Sequence, residues 1–106
     1  MRSFASLRRT ADFHRLRQRG RRTATANLTI FRAQAAPRDE RPLVGITVSK
    51  SVGTAVVRNR LRRRLAASLQ DLLSPQACMR LLVVARPSAA ALTFAALQDE
   101  LRKALR

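Results

Sequence analysis

Hydrophobic and polar positions follow two different periods along the chain, and these periods predict its secondary structure. Residues 27–33 and 43–50 alternate between apolar and polar side chains, which is the two-residue period of a strand. Residues 79–85 are almost continuously apolar and include two adjacent valines, so this short run predicts a buried central strand. These three segments predict one small sheet.

Three other segments carry the spacing of an α-helix. A short basic helix is predicted to have Thr10 as its cap and to end before Gly20. From Thr54 onward apolar side chains recur at steps of three and four, until Ser74-Pro75 ends the helix. Thr93 is predicted to cap a last helix. The predicted core-facing stripes are Val57, Leu61, Leu65, Ser68, Leu69 and Leu72 in the central helix, and Phe94, Leu97, Leu101, Ala104 and Leu105 in the last.

The order of these elements predicts the fold class. Helix, strand, strand, helix, strand, helix favours an α+β, two-layer sandwich in which helices pack against one small sheet. A chain of 106 residues suffices for one core, so we expect a single domain over residues 1–106, with residues 1–8 as a segment that can be disordered. The central helix connects its flanking strands as a crossover, which general rules make right-handed.

The charge of the chain extends the picture from fold to function. Lysine and arginine number 22 and aspartate and glutamate 6, which gives a formal net charge of +16. So high a charge on a small domain causes strong self-repulsion unless a polyanion neutralises it. The sequence therefore predicts a nucleic acid as the partner.

The densest positive charge lies in residues 58–64, Arg-Asn-Arg-Leu-Arg-Arg-Arg, near the start of the central helix. Because Leu61 and Leu65 face the sheet, the arginines spread over the rest of the helix surface. An ordinary solvated face remains the alternative, but such faces usually mix charges, and no acid occurs between Glu40 and Asp71. Bound phosphate would relieve both the mutual repulsion and the unfavourable position at the positive end of the helix dipole.

A second basic cluster surrounds the first helix and contains an aromatic residue. Phe13 lies within it, and Phe31 lies on the polar side of its strand, beside a face with Thr47 and Ser49. Rings, hydroxyls and arginines together predict a groove for single-stranded RNA. The alternative is that Phe13 and Phe31 pack together between helix and sheet. The basic residues of the cluster are Arg8, Arg9, Arg15, Arg17, Arg19, Arg21 and Arg22.

The sequence identifies no catalytic residue and no metal-ligand set in the protein itself. His14, the only histidine, is expected at the surface, without an acid placed as a triad partner. Cys78, the only cysteine, is expected to fill a small core position and fits a reducing compartment. The pairs Asp39-Glu40 and Asp99-Glu100 are expected as loop and helix-surface charge. No signal peptide or membrane span is recognisable, so we expect a soluble, cytoplasmic protein.

One long motif joins the second predicted strand to the central helix. It consists of residues 44–50 (Val-Gly-Ile-Thr-Val-Ser-Lys), Val52-Gly53 and residues 55–63 (Ala-Val-Val-Arg-Asn-Arg-Leu-Arg-Arg). Together with Phe13, Gly20, Phe31 and residues 83–87, which agree in order and spacing, this motif resembles the ribonuclease P protein family. The resemblance covers roughly residues 4–106.

The resemblance implies more about the fold than the periodicity does. It implies an α-β-β-β-α-β-α order with a four-stranded sheet, in which the additional strand is expected from splitting or extending residues 47–52. It also implies a left-handed crossover through the central helix, in place of the right-handed one of the general rule.

The resemblance also implies a function, that of the protein subunit of ribonuclease P. In this ribonucleoprotein endonuclease the RNA subunit hydrolyses the phosphodiester with Mg²⁺ and removes the 5′ leader of precursor tRNA. The protein has ribonuclease P RNA and precursor tRNA as partners and requires no protein partner. By the resemblance, Lys50, Arg58, Asn59, Arg60, Arg62 and Arg63 face the catalytic RNA, and Phe13, Arg17, Phe31, Thr47 and Ser49 hold the leader. The chain departs from the family at Arg17, where a second aromatic is frequent, and at Ser51, where a second lysine is frequent.

Two other functions fit the charge and size of the chain. A ribosomal protein or general RNA chaperone would bind RNA without a role in tRNA processing. A DNA-binding protein would place the basic helix in a major groove, but the arginines spread too widely around the helix for that.

Overall fold

The structure, a computed structural model, describes residues 2–106. Two 3₁₀ turns, Lys50–Val52 and Pro87–Ala91, follow the last two strands. All of the strands belong to one sheet with the order β1-β4-β5-β3-β2. The strands are β1 (Ala5–Ser6), β2 (Arg21–Ala24), β3 (Leu28–Gln34), β4 (Leu43–Val48) and β5 (Met79–Ala85), and the helices are α1 (Thr10–Arg19), α2 (Ala55–Leu72) and α3 (Phe94–Ala104).

The connectivity confirms the predicted α+β fold and corrects its strand count. Strands β4 and β5 are parallel neighbours joined by α2, and β3 is antiparallel to both β5 and β2. The described residues form five strands rather than four, because Ala5–Ser6 pairs in parallel with the start of β4. The additional strand of the family order is β2, and not an extension of residues 47–52, where β4 ends at Val48 and a 3₁₀ turn follows. The left hand of the crossover stays a prediction from the resemblance.

Residues 3–7 are part of the fold, which corrects the expectation of a disordered segment over residues 1–8. The side chains of Phe4 and Leu7 are buried in the hydrophobic clusters. The amide of Ala5 donates a hydrogen bond to the carbonyl oxygen of Pro42 at 2.8 Å, and that of Leu7 donates to Val44 at 2.9 Å. Met1 lies outside the described residues.

The sheet has two faces with different covers. Helices α2 and α3 pack on one face, which we call the α2/α3 face, and form the main core with it. Removal of these apolar side chains from water is the main stabilising term of such a fold. The predicted inward positions of both helices are confirmed except at Phe94, which is 38% exposed because it is the first residue of α3 and lies outside the core. The buried side chains of this core include Leu28, Ile30, Val44, Val48, Leu81 and Val83 from the sheet, Leu61, Leu65 and Leu69 from α2, and Leu97 and Leu101 from α3.

The opposite face, which we call the α1 face, is only partly covered. Helix α1 has 10 residues and is therefore about 15 Å long. Its Leu16 packs with Leu7, Phe31 and Leu82 in a second, smaller cluster. The part of the α1 face beyond this cluster is available for a ligand.

Threonine caps begin two of the three helices in the described chain. The hydroxyl of Thr54 accepts a hydrogen bond from the amide of Val57 at 3.3 Å, and that of Thr93 accepts one from Ala96 at 3.1 Å. The predicted Thr10 cap of α1 is wrong, because Thr10 is already the first helical residue and Arg9 holds the cap position without a side-chain hydrogen bond.

Candidate nucleic-acid interface

The arginines at the start of α2 point away from a helix side that is fixed in the core. Leu61 is 3% exposed and Leu65 is fully buried, so the orientation of the helix is determined by packing. Around these leucines lies a set of polar and basic side chains that are exposed or half-buried. We call this set the α2 arginine surface: Lys50, Arg58, Asn59, Arg60, Arg62 and Arg63.

Two arginines of this surface have distinctive hydrogen-bonding environments. The guanidinium of Arg62 donates to Asn59 Oδ1 at 3.0 Å and to the backbone carbonyl of Val48 at 3.3 Å, so it is held against the end of β4. Arg58 Nε is buried and has no hydrogen-bond partner within residues 2–106. A buried donor without an acceptor costs about 1–3 kcal/mol.

The acidic side chains of the protein lie away from the α2 arginine surface. Within residues 2–106, none of its arginines forms an ion pair with a carboxylate. The positive charge there is therefore not compensated by the described part of the chain, and an anionic partner would remove the repulsion. The acids instead bind elsewhere: Asp12 and Asp39 to Arg80, Asp71 to Gln98, Asp99 to Arg102 and Lys103, and Glu100 to Thr25 and Asn27.

The residues predicted to form a groove for single-stranded RNA lie on the α1 face of the sheet, beside α1. The ring of Phe13 is half-buried and rests on Gly45, where an added Cβ would come within 2.5 Å of Phe13 Cε1. Next to this contact, β3, β5 and β4 present Thr29, Val84 and Thr47 in one row across the sheet. We call this surface, with the side chains described next, the α1 groove.

Polar and basic side chains complete the α1 groove. Arg17 is exposed one helical turn after Phe13. Ser49 is exposed beyond the end of β4, with its Oγ 2.7 Å from Ser51 Oγ. Arg86 donates from Nη2 to Thr29 Oγ1 at 3.3 Å and adds a guanidinium that sequence analysis did not assign to this site. The groove thus combines one ring, several hydroxyls and two cations.

Phe31 belongs to the core rather than to the accessible part of the groove. It is 9% exposed and packs with Leu7, Leu16 and Leu82. For Phe31, the alternative of packing between helix and sheet is therefore confirmed. Phe13 packs against the same cluster but keeps exposed surface, so it is the ring of the groove that a base could contact.

The two sets of predicted residues meet at the end of β4. Ser49 of the α1 groove and Lys50 of the α2 arginine surface are consecutive and both exposed. The basic residues predicted around the first helix are exposed as well, and Arg17 lies beside the groove, whereas Arg21 lies on the opposite face of the sheet. The structure therefore joins both sets into one extended basic surface that bends around the end of β4.

An ion-pair cluster at the edge of α1 was not predicted from the sequence. Arg80 donates from Nε and Nη2 to Asp39 at 2.8 and 3.1 Å, and its Nη1 lies 3.2 Å from Asp12 Oδ1. The Arg80 guanidinium holds the pKa of the Asp39 carboxyl below its usual range. Asp39 is thus a structural ion-pair partner and not loop-surface charge. Because Asp12 is paired with Arg80, it does not compensate the positive charge of the arginines of α1.

The residue types most often used in catalysis do not assemble in the described chain. Among residues 2–106, no group of three or more His, Cys, Asp or Glu side chains could hold a metal ion. His14 is exposed, as expected. The core position expected for Cys78 is wrong, because this residue precedes β5 and is exposed. Glu100 is also not plain surface charge, since it accepts hydrogen bonds from Thr25 and Asn27. None of the helices in the described part is long and apolar enough to cross a membrane.

Comparisons with known proteins identify relatives of the chain. A family model described as Ribonuclease P matches residues 1–106. The chain is 40% identical over 99 residues to the Ribonuclease P protein component of Mycobacterium sp. (strain KMS), with 92% of this chain and 84% of that protein covered. It is 39% identical over 100 residues to the protein of the same name from Acidothermus cellulolyticus, with 93% and 83% covered.

Solved structures show the same fold. A mutant of the RNase P protein from Staphylococcus aureus superimposes with a TM-score of 0.85 at 26% identity, over 94% of this chain and 84% of that one. The RNase P protein from Thermotoga maritima superimposes with a TM-score of 0.78 at 17% identity, over 92% of each chain. At that identity the second similarity concerns the fold alone.

Proposed function

The chain belongs to the ribonuclease P protein family, and we propose that it binds the RNA subunit through the α2 arginine surface and the 5′ leader of precursor tRNA in the α1 groove. Membership in the family gives the coarse function, which is that of the protein component of a tRNA-processing endoribonuclease associated with ribonuclease P RNA. The assignment of surfaces is our own.

The uncompensated charge of the α2 arginine surface carries this proposal. Its arginines have no carboxylate partner within residues 2–106, and Arg58 has a buried donor without an acceptor. Phosphate groups would neutralise this charge. Each neutralised phosphate also releases a counterion, so binding should weaken steeply as salt is raised.

The α1 groove suits a single strand better than a duplex. It offers the exposed part of one ring for stacking, hydroxyls for backbone contacts, and the guanidinium groups of Arg17 and Arg86 for phosphates. Because a leader is present in precursor tRNA and absent from mature tRNA, contacts in this groove would favour substrate over product. With Arg17 in place of a second ring, leader binding in this chain would depend more on charge than on stacking.

The chemistry of the reaction belongs to the RNA in this account. Mg²⁺ is a hard cation that binds phosphate and carboxylate oxygens. We assign it to the RNA subunit and the substrate, by similarity to the family, and assign no catalytic residue to the protein. The protein contributes binding and reduces repulsion between two RNA molecules, and we place its activity in the cytoplasm.

The proposal is tested by the affinity of the protein for ribonuclease P RNA. We expect Arg58→Ala with Arg60→Ala to raise Kd and to make the dependence of log Kd on log salt shallower by about 1–2 units. The matched control is Arg38→Ala with Arg102→Ala, which removes the same charge at exposed positions outside both surfaces. Equal affinities and equal salt slopes for the two double variants would contradict the assignment of the α2 arginine surface.

A further inference from the structure

A separate concentration of positive charge lies at the β2 edge of the sheet, below the C-terminal end of α3. It surrounds a cavity of about 230 Å³. The cavity is on the α2/α3 face, because Arg32 of β3 pairs with the core residue Leu81, whereas the next residue back, Phe31, faces α1. The side chains that line it include Arg21, Thr23, Arg32, Lys103 and Arg106, which we call the β2-edge pocket.

The strand register places two arginines of this pocket against each other. Arg21 of β2 lies directly opposite Arg32 of β3 in the antiparallel pair. Like charges at directly opposed positions destabilise a sheet. The two acids of α3 bind other groups: Asp99 pairs with Lys103 at 3.0 Å and with Arg102 at 3.4 Å, and Glu100 accepts hydrogen bonds from Thr25 and Asn27. Neither carboxylate forms an ion pair with Arg21 or Arg32 in the described chain, so an external anion would relieve the repulsion between these arginines.

The guanidinium of Arg32 is held in place and has an unused donor. Its Nη2 donates to the backbone carbonyl of Leu105 at 2.7 Å, which fixes the group at the end of α3. Its Nε is buried and has no hydrogen-bond partner within residues 2–106. The fixed guanidinium therefore presents its positive charge beside the cavity, where a charged acceptor would be favoured. The hydroxyl of Thr23 supplies a further donor in the same cavity.

The β2-edge pocket is remote from both surfaces described above. Arg32 of β3 pairs with Leu81 of β5, which pairs with Val44 of β4. Val44 lies four residues before Val48, whose carbonyl oxygen accepts a hydrogen bond from Arg62. The backbone of Arg32 is therefore about 13 Å along the strands and about 10 Å across them from that of Val48. The α1 groove lies on the other face of the sheet. An RNA segment that reaches the β2-edge pocket is thus different from one that occupies either of those surfaces.

We propose that the β2-edge pocket binds a backbone phosphate of the RNA subunit, at a contact separate from that of the α2 arginine surface. The inference rests on the proposed function, since it adds a site for the same partner. A leader strand in the α1 groove would have to pass around the edge of the sheet to reach this pocket. The RNA subunit, which is present before substrate binds, is therefore the occupant to which the geometry points.

The test compares two pairs of substitutions that remove the same charge. Arg21→Gln with Lys103→Gln alters exposed members of the pocket and leaves the half-buried Arg32 in place. Arg38→Gln with Arg102→Gln is the control. We expect the pocket variant to bind ribonuclease P RNA, in the absence of precursor tRNA, with a salt slope shallower than the control's by about 1 unit and with a higher Kd. Urea unfolding of both variants checks that each remains folded.

A second arm separates an RNA contact from a site for free anions. Inorganic phosphate is titrated at constant ionic strength while the Arg32 Nε–H signal is followed by NMR. If phosphate shifts this signal but the pocket variant binds RNA like the control, the pocket is a site for free anions only and the proposal is overturned. A change confined to precursor tRNA binding would also overturn it. Failure of the unaltered protein to bind ribonuclease P RNA would instead contradict the proposed function itself.

Discussion

The ring of Phe13 rests directly on the backbone of Gly45, so closely that a Cβ at position 45 would lie 2.5 Å from Phe13 Cε1 and 2.8 Å from Cζ. Real side chains do not approach each other to these distances, so the Phe13 ring would have to shift if the glycine were replaced. The absence of a side chain at Gly45 therefore allows the Phe13 ring to lie directly on the sheet.

We expect Gly45→Ala to destabilise the protein by about 1–3 kcal/mol, the usual range for overpacking, in urea unfolding. Since the clash is with Phe13, the loss should shrink when Phe13→Ala is present as well. A double-mutant cycle measures this coupling. Additive effects of the two substitutions would show that the contact does not position α1.

The ion pair of Asp39 with Arg80 predicts a large effect on stability. The side chain of Asp39 is 4% exposed and that of Arg80 is 10% exposed. Removal of one partner of a buried pair costs about 3–5 kcal/mol, and the lower end applies here because Asp12 remains beside Arg80. Asp39→Asn should therefore lower the free energy of unfolding by about 3 kcal/mol. Asp99→Asn, in an exposed pair on α3, should have a much smaller effect, and equal losses would contradict the account.

The pH dependence of stability follows from the same ion pair. The hydrogen bond from Arg80 holds the pKa of Asp39 below its ordinary value of 3.8. A lowered pKa in the folded state means that the stabilisation is present above pH 3.8 and is lost as the pH falls through the folded-state pKa. The difference in unfolding free energy between the unaltered protein and Asp39→Asn should therefore shrink in this acidic range. If this difference in unfolding free energy stays constant as the pH falls, Asp39 does not stabilise the protein through its ionised carboxylate.

Glu100 contributes to acid unfolding in the same direction. Burial raises its pKa, but hydrogen bonds from Thr25 and Asn27 lower it more, so the pKa lies below its ordinary value. Protonation of Glu100 at low pH should weaken the attachment of α3 to the loop before β3. Because Glu100 titrates in the same direction, the contribution of Asp39 is measured as the difference in unfolding free energy between the unaltered protein and Asp39→Asn. The pH profile of the unaltered protein alone would combine both carboxylates.

Leader binding should respond to the exposed side chains of the α1 groove. We expect Arg17→Gln with Ser49→Ala to weaken binding of precursor tRNA to the holoenzyme and to leave binding of mature tRNA unchanged, because only the precursor has a leader. Both side chains are exposed, so the fold should persist. Arg38→Gln is the control with the same loss of charge. A parallel weakening for precursor and mature tRNA would contradict the placement of the leader in this groove.

Much of the fold could be predicted from local patterns. Strand β5 occupies the predicted residues, and α2 and α3 begin after the predicted threonine caps, because capping and apolar periodicity are encoded by neighbouring residues. The outward position of the arginines follows from the same periodicity. The family resemblance implied one further strand, but the periodicity did not show that it lies at Arg21–Ala24.

The elements that were missed depend on distant parts of the chain. Strand β2 carries polar side chains on both faces at the sheet edge, and β1 has two residues, so neither gives an alternating pattern. Asp39 and Arg80 are separated by 41 positions, and nothing local indicates that they meet. Whether Phe31 is exposed depends on where α1 lies, which packing of Leu16 and Leu7 decides. Long-range packing determines each of these features.

We propose that this protein assists an RNA catalyst through its uncompensated arginines. Ribonuclease P RNA and precursor tRNA are mixed at low Mg²⁺, and the rate of 5′ leader cleavage is measured with the unaltered protein, with Arg58→Ala/Arg60→Ala, and without protein. We expect strong stimulation by the unaltered protein. The double variant should give only a small stimulation, which recovers as salt is lowered. Equal rates with and without the unaltered protein, or full stimulation by the double variant, would contradict this proposal.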